Sequence, residues 1–109
     1  MSHSPLRFAV VGLGHISQVA VLPAFAHAQS SARLTALVSD DPLKRRLLGR
    51  QYGVAHTYAY KDYEQCLRSG EIDAVYIALP NSLHREYAVR AARAGIHILC
   101  EKQIGRAHV

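Results

Sequence analysis

The chain has 109 residues, of which 50% are hydrophobic and 19% charged, so it can form one globular core and is not an intrinsically disordered segment. Its net charge is +5, but the arginines are scattered along the chain, which argues against nucleic acid and favours an anionic small molecule as partner. No apolar run reaches the length of a membrane span. The two cysteines lack a C-x-x-C spacing and predict neither a zinc site nor a disulfide framework, so we expect a cytoplasmic protein.

Apolar runs alternate with helical patterns along the chain. Strands buried on both faces are predicted over residues 6–11, 34–38, 74–79 and 96–100, with a brief strand over 56–58. Helices are predicted over 15–29, kinked at Pro23, and over 42–52, 62–68 and 83–94. This order predicts successive βα units with right-handed crossovers, and therefore an α/β fold of Rossmann type with a doubly wound parallel sheet.

Two of the predicted helices carry signals at their ends. Asp41 before Pro42 is a carboxylate N-cap followed by proline at the first helical position, and Gly53 ends that helix. We expect the leucines of this helix to face the core: Leu43, Leu47 and Leu48. Asn81 and Ser82 are expected to cap the helix over 83–94.

The turn after the first strand has the pattern of a dinucleotide-binding loop. Gly12 permits a tight reversal with positive φ, and Gly14 lacks a Cβ, so a pyrophosphate can approach the amides that open the following helix. Ser17 stands where the fingerprint has its third glycine or alanine, and this slightly larger residue is expected to weaken the turn without excluding it. An ordinary strand-to-helix turn has the same pattern, so the residues downstream decide between the two.

Polar stretches follow four of the predicted strands. In a parallel sheet, ligands lie outside the carboxyl ends of the strands. The candidate stretches are the glycine turn, Ser39, residues 80–84 and the pair Glu101-Lys102. We expect them to converge on one crevice, which favours a functional glycine turn.

The end of the second strand bears on the cofactor. NAD enzymes usually place Asp or Glu there to accept the adenosine 2′-hydroxyl, whereas a 2′-phosphate needs a cation and no carboxylate. Ser39 occupies this position, and Lys44, with Arg45 as a second candidate, could reach a phosphate. NADP is therefore the expected cofactor. Asp40 and Asp41 favour the alternative, NAD, if either carboxylate turns inward.

Together these motifs resemble the oxidoreductases grouped with glucose-fructose oxidoreductase and inositol dehydrogenase, the Gfo/Idh/MocA family. The resemblance covers residues 6–102 and is carried by four stretches: Gly12-Leu13-Gly14-His15-Ile16, Asp41-Pro42, Leu79-Pro80-Asn81-Ser82-Leu83-His84, and Ala94-Gly95 before Cys100-Glu101-Lys102. It implies the N-terminal dinucleotide-binding domain of an NAD(P)-dependent oxidoreductase. In that family a C-terminal α/β domain holds a sugar-like or polyol substrate, and we expect the intact parent to be a homo-oligomer.

The resemblance also implies roles for single residues. Lys102 matches a lysine that contacts the reacting hydroxyl, where an ammonium can orient the substrate oxygen and stabilise developing charge. Glu101 matches a glutamate at the nicotinamide ribose, and Pro80, Asn81 and His84 match a stretch beside the nicotinamide. The glycine turn is implied to contact the cofactor through Gly12, Leu13, Gly14, His15 and Ile16. Taken alone, the downstream residues are also compatible with a solvated pair, a helix cap and a surface histidine.

Residues 103–109 depart from the family pattern, which has proline after Glu-Lys. Here Gln103 is followed by IGRAHV, which is also the translation of a common short-read sequencing adapter. We therefore expect a partial domain over 1–102 and a non-native tail over 103–109; the alternative is a divergent natural tail. Native DNA that encodes Gln103 to Val109 would contradict the non-native origin. Such a fragment is expected to be inactive alone and to aggregate through exposed sheet surface.

Two other functions fit parts of the sequence. A non-catalytic redox sensor needs the glycine turn and the ribose contacts but has no use for Lys102. A fold that binds S-adenosylmethionine shares the glycine-rich first turn but does not explain residues 81–84 or Glu101-Lys102. The leading interpretation is an oxidoreductase that moves hydride between a nicotinamide cofactor and a sugar or polyol alcohol.

Overall fold

The computed structural model describes residues 5–28 and 30–100. Five strands form one parallel sheet in the order β3-β2-β1-β4-β5. They are β1 (Leu6–Val11), β2 (Ala32–Val38), β3 (His56–Tyr58), β4 (Ala74–Ile77) and β5 (His97–Cys100). The chain moves outward from β1 in one direction and then returns to the other side of β1, which is the doubly wound Rossmann arrangement predicted from the alternating pattern.

Helices cover both faces of the sheet. They are a π-helical turn (Ser17–Val21), α1 (Leu22–His27), α2 (Pro42–Tyr52), a 3₁₀ turn (Tyr60–Asp62) that leads into α3 (Tyr63–Leu67), and α4 (Asn81–Arg93). Each helix in the part of the chain that the structure describes is too short or too polar to span a lipid bilayer.

The side chains of each strand alternate between two apolar cores. Val10 points into the core beneath α1 and α2, and its neighbour Val11 into the core beneath α3 and α4. The second core contains Tyr63 and Cys66, and burial raises the pKa of the Cys66 thiol to about 12. That thiol is therefore neutral at physiological pH.

Several element ends differ from the predicted ones. The second strand begins at Ala32 rather than residue 34, and the fourth ends at Ile77 rather than residue 79. The predicted caps of α4 were wrong, because this helix begins at Asn81 with Pro80 in the N-cap position and no side-chain cap. The extended backbone of Pro80 ends the preceding loop, so the helix starts two residues earlier than the polar pair suggested.

The predicted core face of α2 was wrong at two of its three leucines. Leu48 is 8% exposed, whereas Leu43 and Leu47 are 53% and 51% exposed. This helix lies at the side of the sheet where β3 contributes only three residues, so the apolar surface beneath it is narrow. A leucine at helical spacing therefore need not reach the core.

The kink expected at Pro23 takes the form of a wider helical turn. Residues Ser17–Val21 are π-helical, and Pro23 lies in the first turn of α1 immediately afterwards. The Leu22 N–H donates to the Ser17 carbonyl in the wider π-helical pattern, so the change of pattern lies directly before the residue that has no N–H to donate.

Candidate functional site

The carboxyl ends of β1, β2 and β4 lie side by side. Val11 at the end of β1 pairs with Val38 in β2 and with Ile77 in β4. The Gly12 N–H donates to the Val38 carbonyl at 2.9 Å, and the Ala78 N–H donates to the Val11 carbonyl at 2.9 Å. The polar stretches that follow these three strands are thereby brought to one edge of the sheet.

The fifth strand reaches the same edge. Its last residue, Cys100, pairs with Ile77 at the end of β4. Glu101 and Lys102 lie outside the described residues, as does the segment 103–109. The roles of this pair and the non-native origin of the tail therefore stay predictions.

Gly12 shapes the turn through its backbone. Its φ is +102°, in the region that side chains disfavour, as predicted. A Cβ at this position would lie 2.7 Å from the Ala78 carbonyl oxygen, so the turn and the end of β4 can approach only a glycine. Gly14 differs, because a Cβ there would meet no atom within 4 Å. Gly14 therefore has free space at the position where a Cβ would stand.

Ser17 and Gln18 hold the turn from the helix that follows it. Ser17 is 1% exposed, and its hydroxyl donates to the Gly12 carbonyl at 2.6 Å. The side-chain amide of Gln18 donates to the Leu13 carbonyl at 3.0 Å. Serine at the third fingerprint position therefore adds a hydrogen bond to the turn instead of weakening it. Sequence reasoning missed Gln18, whose only signal is that it follows Leu13 by the same five residues that separate Ser17 from Gly12.

Ser39 is buried at the end of β2 and is contacted by a cation. Its N–H donates to the Tyr58 carbonyl at 2.9 Å. The Arg45 guanidinium donates to the Ser39 carbonyl, so Arg45, the second candidate cation, lies against this residue. Lys44 meets the same loop through its backbone N–H, which donates to the Asp41 carboxylate at 3.1 Å.

The two neighbouring carboxylates are engaged by backbone amides. Asp41 caps α2 by accepting the N–H of Lys44, as its position before Pro42 predicted. Asp40 accepts the N–H of Tyr60 at 2.7 Å. Each carboxylate thus accepts one backbone amide within the fold and keeps acceptor capacity for a ribose hydroxyl, so NAD stays the alternative cofactor.

The stretch after β4 places one unusual atom at this edge. Pro80 and Asn81 are exposed at the start of α4, and His84 follows in its first turn. His84 Nε2 is shielded from solvent and has no hydrogen-bond partner among the described residues. His84 as a whole is half-buried at the surface, so its role beside the nicotinamide stays a prediction. A buried polar atom left without a partner is costly, so Nε2 is a candidate contact for a ligand.

The sequence matches one known protein family over most of its length. The sequence model described as an oxidoreductase family with an NAD-binding Rossmann fold, GFO_IDH_MocA, matches residues 6–104. The D-xylose 1-dehydrogenase (NADP(+)) 2 of Haloferax volcanii is 34% identical over 91% of this chain. The chain spans about 29% of the length of the curated relatives that it matches.

Solved structures agree with the family match. The aldose-aldose oxidoreductase from Caulobacter crescentus has a TM-score of 0.83 and 40% identity, over 90% of this chain and 30% of its own. The scyllo-inositol dehydrogenase from Lactobacillus casei, solved with bound NAD(H) and scyllo-inositol, has a TM-score of 0.79 and 26% identity, over 90% of this chain and 28% of its own.

Proposed function

We infer the function from the family: the chain belongs to the Gfo/Idh/MocA oxidoreductases, which have an NAD-binding Rossmann fold. We propose that it is the cofactor-binding domain of an NADP-dependent dehydrogenase acting on a sugar or polyol. The observation that carries the proposal is the convergence of the glycine turn and the Ser39–Arg45 contact at one edge of the sheet. The catalytic activity is proposed for a protein that also contains a substrate domain.

The adenosine end of the cofactor is proposed to lie at Ser39 and Arg45. Arg45 uses part of its guanidinium on the Ser39 carbonyl, and its remaining N–H groups can bind a 2′-phosphate. The carboxylates of Asp40 and Asp41 keep their negative charge but are each held by a backbone amide, which fixes their place in the loop. NAD is the alternative cofactor, as in the Lactobacillus casei enzyme.

The diphosphate is proposed to lie at the glycine turn, and the nicotinamide beyond it at residues 80–84. Gly14 leaves room for phosphate oxygens. The Nε2 atom of His84 supplies a polar group without a partner among the described residues. A hydrogen bond to the nicotinamide half of the cofactor would remove the cost of burying that atom.

Lys102 is proposed as the catalytic residue, with Glu101 at the nicotinamide ribose. The bound cofactor supplies the acceptor or donor of hydride. The Lys102 ammonium can hold the substrate oxygen in place and offset the charge that develops when its proton leaves. A homo-oligomeric parent and a cytoplasmic location are part of the same proposal.

Fluorescence titration with NADPH and NADH tests the cofactor assignment. We expect NADPH to bind roughly tenfold more tightly, because a guanidinium–phosphate pair is a charge-assisted contact. Arg45→Ala should remove this preference without weakening NADH, whereas Arg46→Ala, its exposed neighbour on α2, should change neither affinity. Equal or tighter binding of NADH would overturn the NADP assignment. Binding of neither cofactor would overturn the proposed function.

Reduction of NADP by the complete protein separates a dehydrogenase from a redox sensor. A panel of aldoses and polyols provides the substrates, with absorbance of the reduced nicotinamide as the signal. A dehydrogenase turns over at least one of them, whereas a sensor binds the cofactor and turns over none.

A further inference from the structure

Three consecutive carbonyls of the glycine turn are bound by the two residues that begin the next helical segment. The Ser17 hydroxyl donates to the Gly12 carbonyl at 2.6 Å, and the Gln18 side chain donates to the Leu13 carbonyl at 3.0 Å. The backbone N–H of Gln18 donates to the Gly14 carbonyl at 3.1 Å. The turn is therefore held at every peptide unit between Gly12 and the helical segment.

The direction of these carbonyls determines the direction of the amides. In a trans peptide the C=O of one residue and the N–H of the next point in opposite directions. Carbonyls directed at Ser17 and Gln18 therefore direct the N–H groups of Leu13, Gly14 and His15 away from those residues. Successive amides that point the same way form a positive concavity suited to an anion.

Without these contacts the turn could present the opposite charge. Glycine allows its flanking peptide units to rotate at little steric cost, so the unit between Gly12 and Leu13 is not fixed by its own geometry. A flipped unit would present a carbonyl oxygen where an amide stood and would repel phosphate. The Gly12 N–H is already bound to the Val38 carbonyl, so the preceding peptide unit is held by β2.

We propose that Ser17 and Gln18 are positioning residues of the phosphate-binding turn, which hold its carbonyls inward so that its amides face the diphosphate of the cofactor. The inference rests on the proposed function and deepens it. The glycine or alanine of the fingerprint position serves close packing alone. In this chain the residue at that position also orients the ligand-binding backbone.

The test compares ligands with and without a diphosphate. Ser17→Ala keeps the side chain small and removes the hydroxyl, and we expect the Kd for NADPH to rise about tenfold. Gln18→Leu, at a half-buried position, should raise it about threefold and serves if the serine variant does not fold. For both variants the Kd for 2′-AMP, which has the adenosine phosphate but no diphosphate, should stay within about twofold of wild type.

Matched controls separate the positioning role from general destabilisation. Ser31→Ala removes another hydrogen bond from a serine to a carbonyl, that of Ala28, before the amino end of β2 and away from the glycine turn. Gln65→Leu alters an exposed glutamine on α3. Neither should change NADPH binding. The proposal is overturned if Ser17→Ala and Gln18→Leu bind NADPH as wild type does, if Ser17→Gly binds it more tightly, or if 2′-AMP weakens in parallel. A wild-type chain that binds neither NADPH nor NADH would instead refute the proposed function.

Discussion

Gly12 is limited by its backbone angle and by the space around it. Replacing it with alanine forces a residue with a Cβ into φ +102° and places that atom 2.7 Å from the Ala78 carbonyl oxygen. We expect Gly12→Ala to lower the free energy of unfolding by at least about 1–3 kcal/mol, the usual cost of such backbone strain. Urea denaturation measures the loss, and an unchanged midpoint would contradict the proposed constraint.

Gly14 provides the opposite case within the same turn. A Cβ at Gly14 meets no atom within 4 Å of the fold, so Gly14→Ala should change the free energy of unfolding by less than about 0.5 kcal/mol. The added methyl would stand where the diphosphate approaches, so affinity for NADPH should fall. Unchanged NADPH binding in Gly14→Ala would place the diphosphate elsewhere.

Among the elements, β1 and β4 are joined at their starts by one arginine and one aspartate. The Arg7 side chain donates to both carboxylate oxygens of Asp73, at 3.1 and 3.0 Å, and the Arg7 N–H donates to the same carboxylate at 2.9 Å. In return the Asp73 N–H donates to the Arg7 carbonyl at 2.7 Å. These contacts hold the pKa of Asp73 below its ordinary value of 3.8.

This pair predicts a dependence of stability on pH. Because the pKa of Asp73 is lowered by folding, its ionised form stabilises the fold above the unfolded pKa, and that stabilisation is lost as the pH falls through the lower, folded pKa. Asp73→Asn should therefore lower Tm at pH 7, and the difference should shrink below about pH 4. Thermal unfolding followed by circular dichroism, from acid to neutral pH, measures this difference in Tm. Asp62→Asn is the control for removal of a carboxylate, and an equal effect there would contradict the assignment.

The elements differ in how far sequence can predict them. Strands β1 and β4 are short, mostly apolar runs covered on both faces, and sequence predicts such runs well because most of their residues are buried. The burial of the α2 leucines was mispredicted because periodicity indicates which residues share a side of the helix. It does not indicate how much apolar surface the sheet offers beneath that side, and Leu43 and Leu47 lie beyond this surface.

For the molecule as a whole, the glycine turn and the doubly wound parallel sheet could be predicted, whereas contacts between side chains and the backbone of the loop after β2 and of the 3₁₀ turn after β3 could not. Arg45 reaches the Ser39 carbonyl, and Asp40 reaches the Tyr60 amide across twenty residues of sequence. Both contacts depend on how α2 and β3 pack after the chain has folded. Sequence spacing alone left Lys44 and Arg45 as alternatives, and only the packed loop distinguishes their contacts with Ser39.

The outer strand β5 carries an exposed apolar side chain. Within the described sheet β5 is paired on one side only, and Leu99 on this strand is 49% exposed. Such a strand can pair with another chain, so we expect the 109-residue protein to self-associate as its concentration rises.

Light scattering during gel filtration measures the associated fraction. This fraction should fall by about half or more in Leu99→Lys, because a charge opposes the pairing of apolar outer strands. Leu43→Lys, at a comparably exposed site on α2, should leave it unchanged. A wild-type protein that stays monomeric across this range, or an equal effect of Leu43→Lys, would show that β5 does not drive association.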